Sequence, residues 1–210
     1  MASDTTRAHW DEVYAARPEA ALTWHQDVPQ PSLDLVTARL TPGAPVIDVG
    51  GGTSRLVDAL LARGFGPVSV LDLSGAALAA SRARLGEAAA QVHWIEADII
   101  EWVPPQRYAL WHDRAVLHFL TAQAQREAYV AALERALAAG GHAVIATFAD
   151  DGPEKCSGLP VQRYSPEALA AMLERHAPGV FAAQTSLRHD HVTPKGAVQK
   201  FQTSVFTRRG

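Results

Sequence analysis

Three consecutive glycines, Gly50-Gly51-Gly52, join a short apolar run to an amphipathic one, and this junction limits the possible folds more than any other segment. The run before it, Pro45 to Val49, has the length and apolarity of a strand buried on both faces. The stretch after it, Ser54 to Gly64, carries Leu56, Val57, Leu60 and Leu61 at helical spacing, with Gly64 as a natural stop. A strand feeding a helix through a glycine turn is the opening unit of a parallel α/β sheet.

The alternation continues. Val68 to Leu73, Gln91 to Ile95, Tyr108 to His112 and His142 to Phe148 read as further strands, and Gly75 to Leu85 as a helix. Thr121 to Ala139 predicts the longest helix, capped by Thr121 and ended by Gly140. Asp151 to Pro160 reads as a loop. Ser165-Pro166-Glu167 has the order N-cap, N1, N2 of a helix reaching about His176. Val180 to Arg188 and Val198 to Thr207, with a turn around Pro194-Lys195-Gly196, predict an antiparallel pair closing the sheet. The expected fold is α/β: a three-layer αβα sandwich on a mostly parallel seven-stranded sheet, with residues 1–210 as one domain. Ligands of such sheets bind outside the carboxyl ends of the strands.

Composition narrows the class. The chain is 48% hydrophobic and 20% charged with a formal net charge of -3, which suits an ordered domain and offers no large basic surface for nucleic acid. The single cysteine, Cys156, excludes an internal disulfide and fits a reducing compartment. Met1 to Trp10 is polar, so no secretory signal is expected, and no apolar run approaches the roughly 20 residues of a membrane span. A cytoplasmic protein without membrane contact is expected.

The residues around the glycine turn select among nucleotide sites. A dinucleotide fingerprint needs a glycine where Arg55 stands, and the Gly-Lys-Ser/Thr of a phosphate loop is absent. Asp48 lies two residues before the turn, and a buried anion there suits a ligand bearing an ammonium group better than a pyrophosphate. Asp72 closes the second strand, where a carboxylate can accept from both ribose hydroxyls. Asp98 follows the third strand, where it can take an exocyclic amine with Ile99 against the base.

Together these segments resemble the class I, seven-stranded methyltransferases that use S-adenosylmethionine (SAM). The resemblance runs from Pro45 to Phe148 by motif and to the C-terminus by strand pattern. It implies strand order 3-2-1-4-5-7-6, with strand 7 antiparallel. It implies that Asp48, Gly50, Gly51 and Gly52 hold the methionine part of SAM, Asp72 the ribose, and Asp98 and Ile99 the adenine, with Ser54 and Leu73 as further cofactor contacts. Asp113 would face the methyl group. The family often has glycine where Ser54 stands, and a small residue still fits. Trp10-Asp11-Glu12-Val13-Tyr14 and Leu22-Thr23-Trp24-His25-Gln26 resemble lead-in segments of some members, certain protein-lysine methyltransferases included. The resemblance implies that residues 1–40 cover the cofactor, with Tyr14 or Trp24 contacting its carboxylate or its sulfonium, the latter by a cation–π attraction of about 1 kcal/mol.

Methyl transfer asks the protein for alignment and, where the nucleophile is protonated, for a base. Asp113, Arg114 and His118 are the candidate catalytic residues; the alternatives are a structural Asp113–Arg114 ion pair and a satisfied core histidine. Trp24, His25 and His112 are further candidates for substrate contact. Cys156 stands in the loop after strand five, as a soft contact or a tolerated thiol. Arg163 and Tyr164 either steer a substrate carboxylate or cap the next helix. His189 and His191 share a strand face, but without further clustered ligands no metal site is expected.

The expected activity is methyl transfer from SAM, with S-adenosylhomocysteine (SAH) as product, to a nucleophile on a small molecule; a protein lysine is the alternative acceptor. The Asn/Asp-Pro-Pro-Tyr/Phe of base-amino methylation is replaced by Asp113-Arg114-Ala115-Val116, so no nucleic-acid substrate is expected. Two readings of other classes stay open: a nicotinamide-dependent oxidoreductase and a catalytically silent SAM-binding protein.

Overall fold

The computed structural model describes residues 2–210, with side chains from residue 5 onward. The strands are β1 (Val46–Val49), β2 (Val68–Asp72), β3 (Val92–Glu96), β4 (Tyr108–Arg114), β5 (Leu137–Phe148), β6 (Phe181–Val192) and β7 (Val198–Arg208). The helices are α1 (Ala2–Ala16), α2 (Ser32–Thr37), α3 (Leu56–Ala62), α4 (Gly75–Leu85), α5 (Gln123–Ala136) and α6 (Pro166–His176). The seven strands form one sheet in the order β3-β2-β1-β4-β5-β7-β6. β1 to β5 pair in parallel, and β7 runs antiparallel to both β5 and β6. This is the expected αβα sandwich.

Both faces of the sheet are covered, which is why its central strands read as continuous apolar runs. Every residue of β1 and of β2 is buried. Successive side chains alternate between faces. Ile47, Val49 and Trp111 join a core with Tyr129 and Leu133 of α5 and Leu169 of α6. Val46, Val70 and Leu110 join a second core with Val36 of α2, Leu56 and Leu60 of α3 and Leu78 of α4. The same parity sends Asp48 and His112 toward α2 and α3, and Asp113 toward α5.

Several boundaries differ from expectation. α5 begins at Gln123; Thr121 is not its cap, and the Gln125 side chain instead accepts from the Ala122 N–H at 3.1 Å. The helix stops at Ala136, because residues from Leu137 pair with β4 (Tyr108↔Leu137) and lengthen β5 backward. Gly140, at φ 74°, and Gly141, whose added Cβ would lie 2.9 Å from the Ala109 carbonyl oxygen, let that long strand bend against its neighbour. β4 runs on to Arg114, so Asp113 and Arg114 belong to the strand itself. The loop after β5 contains a small hairpin, Lys155–Cys156 with Leu159–Pro160, turned by Ser157 and Gly158 at positive φ. The cap at Ser165 is as expected: its hydroxyl accepts from the Ala168 N–H. Among the described residues no helix is long and apolar enough to cross a membrane.

Candidate active site

A cavity of about 300 Å³ opens at the carboxyl ends of β1 to β4. Gly50, Asp72, Leu73, Asp98, Ile99 and Arg114 line it from the sheet. Trp10 and Tyr14 of α1, with Trp24, close it from above, and Phe119 and Cys156 from the side of β5. Trp10 is the hub of this cover: its ring lies 5.9 Å from that of Trp24 and 5.0 Å from that of Phe119, both edge-on.

Backbone geometry explains the glycines. Gly50 and Gly52 have φ of 66° and 45°, in the left-handed region that favours glycine. A Cβ on Gly50 would lie 1.9 Å from Val116 Cγ2, and one on Gly52 would lie 2.5 Å from Tyr14 Oη. A Cβ on Gly51 would lie 2.6 Å from Val70 Cγ1. The turn is pressed between the β2 core, the residues after β4 and the lead-in helix, so it admits no side chain.

Asp72 lies at the cavity wall with Oδ1 accepting from the Ser74 N–H at 2.8 Å. Burial lifts its carboxyl to about 7, although hydrogen bonds from the Ser74 and Gly52 backbone work against the rise. Asp98 uses Oδ1 to cap the following turn, accepting from the Ile100 N–H at 3.1 Å. Tyr14 is hydrogen-bonded to the Trp24 side chain, and burial followed by the charge of Asp72 pushes its hydroxyl well above the ordinary tyrosine range.

The lead-in is tied to the tip of β2. Arg7 Nη1 donates to the Leu73 carbonyl at 2.9 Å and to Glu96 Oε1 at 2.6 Å. The Ser74 hydroxyl donates to Asp11 Oδ1 at 2.5 Å. Ser74 also caps α4 by accepting from the Ala77 N–H. One serine therefore couples helix start, strand end and cover.

Four expected site residues lie elsewhere. Asp113 is fully buried beneath α5, not against the cavity: Oδ1 accepts from the Val116 N–H, and Oδ2 from the Leu117 N–H and the Tyr129 hydroxyl. Burial raises its carboxyl to about 6 against those hydrogen bonds. Strand parity turned it away, and it forms no ion pair with Arg114. His118 is also fully buried, with Nδ1 accepting from the Phe148 N–H at 3.3 Å and its ring against Phe119 and Phe148. Burial, then the charge of Arg114, lowers it to about 3, so it is a neutral core imidazole without access to a substrate. Asp48 does not line the main cavity; it holds His112 under the glycine turn, Oδ1 to Nδ1 at 2.6 Å. Ser54 lies beside a smaller neighbouring cavity and uses its hydroxyl to accept from the Leu56 N–H at 3.1 Å.

Arg114 does line the main cavity. Nη1 donates to the Trp24 carbonyl at 3.1 Å, and the guanidinium carbon sits 5.0 Å from the Phe201 ring centre. Burial pushes its pKa down to about 10, which leaves it charged at neutral pH. The Cys156 thiol, also raised by burial, to about 11, stays protonated there. Arg163 lies away from the cavity and donates to the Gly152 carbonyl and to Glu154. Tyr164 is buried in the core below α6. His25 faces Glu19 and Asp27, His189 stacks on Phe201, and His191 bonds the Thr23 carbonyl at 2.7 Å. Among the described residues no three potential metal ligands cluster.

Sequence reasoning placed Trp10 in a motif without a role, and it passed over Phe119 and Gln125, which also line the cavity. Trp10 was findable from its helical spacing to Tyr14. Phe119 had no local signal, because the 3-10 turn Leu117–Phe119 that aims it depends on the Asp113 bonds behind it.

Residues 46–141 match the family model described as a methyltransferase domain. No curated protein matches the sequence. Among solved structures, the chain is similar to a SAM-dependent methyltransferase from Anabaena variabilis, at 16% identity, over 100% of this chain and 96% of that one, with a TM-score of 0.77. It is similar to the 1,6-didemethyltoxoflavin-N1-methyltransferase of Burkholderia thailandensis, solved with 1,6-didemethyltoxoflavin and SAH bound, at 22% identity, over 99% and 87% of the two chains, with a TM-score of 0.71. It is also similar to the N-methyltransferase NodS of Bradyrhizobium japonicum, solved with SAH, at 16% identity, over 88% and 90% of the two chains, with a TM-score of 0.66.

Proposed function

We propose that this chain, a member of the class I SAM-dependent methyltransferases, transfers the methyl group to a nucleophilic atom of a small molecule. The observation that carries the small acceptor is the cavity itself, walled by strand tips and narrowed by Trp10, Trp24 and Phe119. A flat aromatic or heterocyclic molecule suits such walls, as 1,6-didemethyltoxoflavin suits the enzyme from Burkholderia thailandensis that shares this fold. The lead-in, residues 1–40, serves as the cover of the cofactor.

The residues present fit SAM. The glycine turn admits no side chain and its Gly50 backbone borders the cavity, which Asp72, Asp98 and Ile99 also line. Asp72 would take the ribose hydroxyls, Asp98 and Ile99 the adenine, and the turn the amino-acid end. When bound, SAM supplies a methyl carbon already electrophilic through its sulfonium.

The chain's own contribution is then alignment and exclusion of water. Trp10 and Trp24 seal the cavity from above. Among the described residues no histidine stands in its lining, and the Cys156 and Tyr14 protons are held tightly. With the lining carboxylates Asp72 and Asp98 assigned to the nucleoside, an acceptor atom with a lone pair free at neutral pH, such as a ring or amine nitrogen, suits this cavity.

Calorimetry with SAM, SAH and NAD tests the cofactor, with micromolar binding expected for the first two and none for NAD. Transfer of labelled methyl from SAM into an extract tests the acceptor. Label in the low-mass fraction is expected; label on protein would replace this reading with a protein acceptor.

A further inference from the structure

We infer that Arg114 is the receptor for a carboxylate carried by the methyl acceptor, so that the substrate is an anionic small molecule; this rests on the methyltransferase reading above. The guanidinium is buried, yet no carboxylate among the described residues pairs with it. Nη1 is used by the Trp24 carbonyl, whereas Nε and Nη2 have no partner. Those two nitrogens form one edge of the guanidinium, the edge whose parallel N–H bonds match the two oxygens of a carboxylate. A buried cation with a whole edge unpaired is costly unless an anion arrives to fill it.

Among the described residues no carboxylate bonds that free edge. The groups facing Arg114 are the Phe201 ring, the Cys156 thiol and the imidazoles of His118, His189 and His191. Burial, and secondarily the charge of Arg114, lowers all three histidines, so they stand neutral around it at pH 7. Asp48 acts on it from a distance; its Oδ1 holds His112 and its Oδ2 is unpartnered, and neither oxygen forms an ion pair with Arg114.

Position assigns the carboxylate to the acceptor and not to SAM. The groups suited to adenosine, Asp72 and Asp98, stand at the tips of β2 and β3, on one side of the glycine turn. Arg114, although it also borders the smaller cavity beside Ser54, ends β4 on the other side, where Phe201 of β7 and Cys156 of the hairpin after β5 face it. That is the half of the cavity left for a second molecule.

The test uses the full chain, as wild type, Arg114→Lys and Arg114→Met, with labelled SAM and a small-molecule extract. Calorimetry with SAM on each preparation checks the underlying reading separately: absence of SAM binding by the wild type sinks that reading, whereas binding with a neutral product sinks only the carboxylate. The labelled product is expected to be retained on an anion exchanger and to lose that retention after carbodiimide amidation. With the isolated product's precursor as substrate, Arg114→Met is expected to lower kcat/KM by roughly a hundredfold, mainly through KM, and Arg114→Lys by less. SAH affinity of both variants stays within about threefold of wild type. A neutral product, an unchanged KM in Arg114→Met, or a loss of SAH affinity parallel to the loss of activity would overturn the inference, the last by assigning Arg114 to the cofactor's own carboxylate.

Discussion

Asp48 and His112 sit opposite each other in the register of β1 and β4, and their side chains meet, Oδ1 to Nδ1, at 2.6 Å. The carboxylate sets the imidazole tautomer: Nδ1 donates to Asp48, and Nε2 accepts from the Ser32 hydroxyl at 2.8 Å. This buried chain links the strand under the glycine turn to α2. The acidic residue that marks the turn in the sequence therefore acts first on the protein. Replacing His112 by alanine strands both Asp48 oxygens in the core, since Oδ2 already lacks a partner. A loss of about 3 kcal/mol in urea unfolding is expected, against a smaller loss for His112→Gln. Equal stability of the alanine variant and wild type would show the pair to be dispensable.

The proposed ribose role of Asp72 predicts that cofactor binding depends on pH. Its carboxyl is raised to about 7 by burial, so the native chain holds a proton that the unfolded chain has released. By itself it makes the fold less stable as pH rises from the ordinary carboxyl range to about 7, with no further change above. A ligand that donates hydroxyl hydrogens to this group binds its ionised form. SAH affinity is expected to rise about tenfold between pH 6 and pH 8, and to be flat and at least tenfold weaker at pH 8 in Asp72→Ala. Titration calorimetry at the two pH values decides; a flat wild-type profile would remove Asp72 from the ribose.

Gly52→Ala meets two obstacles: the positive φ, and the Tyr14 hydroxyl 2.5 Å from the new Cβ. Expected costs are about 1–2 kcal/mol of stability and most of the SAH affinity. The double variant with Tyr14→Phe relieves only the collision, so part of the stability returns. A double variant no better than Gly52→Ala would show that backbone strain alone accounts for the cost.

The cover is held by Arg7 and Asp11 at the tip of β2. Alanine at both is expected to speed SAH release about fivefold while leaving the melting temperature within a few degrees, because the bonds are partly exposed. Stopped-flow fluorescence of Trp10 and Trp24 reads this directly. Unchanged release would mean that α1 does not act as a cover.

Asp113→Asn replaces an acceptor of three hydrogen bonds with a group that presents a donor to one of its own donors. A stability loss of about 2–4 kcal/mol is expected, with SAH affinity of the folded protein within about threefold of wild type. A variant of normal stability and greatly reduced activity would return Asp113 to the reacting centre.

The elements that could be read locally were those whose signal is local. Ser165-Pro166 capped its helix as expected, and the glycine turn, Asp72 and Asp98 stand at neighbouring strand ends around one cavity. The errors arose where two segments compete. Leu137 to Gly141 carry the composition of a helix end, but the open edge of β4 claims their backbone. Asp113, Arg114 and His118 look equivalent as polar residues near a strand end. Alternation of faces sends Asp113 to Tyr129, a 3-10 turn sends His118 to Phe148, and only Arg114 reaches the cavity.

Periodicity and turn chemistry, which act over a few residues, were enough to predict the strands, the helices between them and the glycine turn and carboxylates at the strand tips; the strand order and SAM were implied by the family resemblance. Tertiary structure alone decided which side chains share the cavity. Trp10, Phe119, Arg114 and Cys156 come from four separate segments, and their meeting depends on how α1 and the hairpin after β5 pack over the sheet. The physical reason is that local sequence sets backbone hydrogen bonding, whereas the direction and the partner of a buried charge follow from what packs against it.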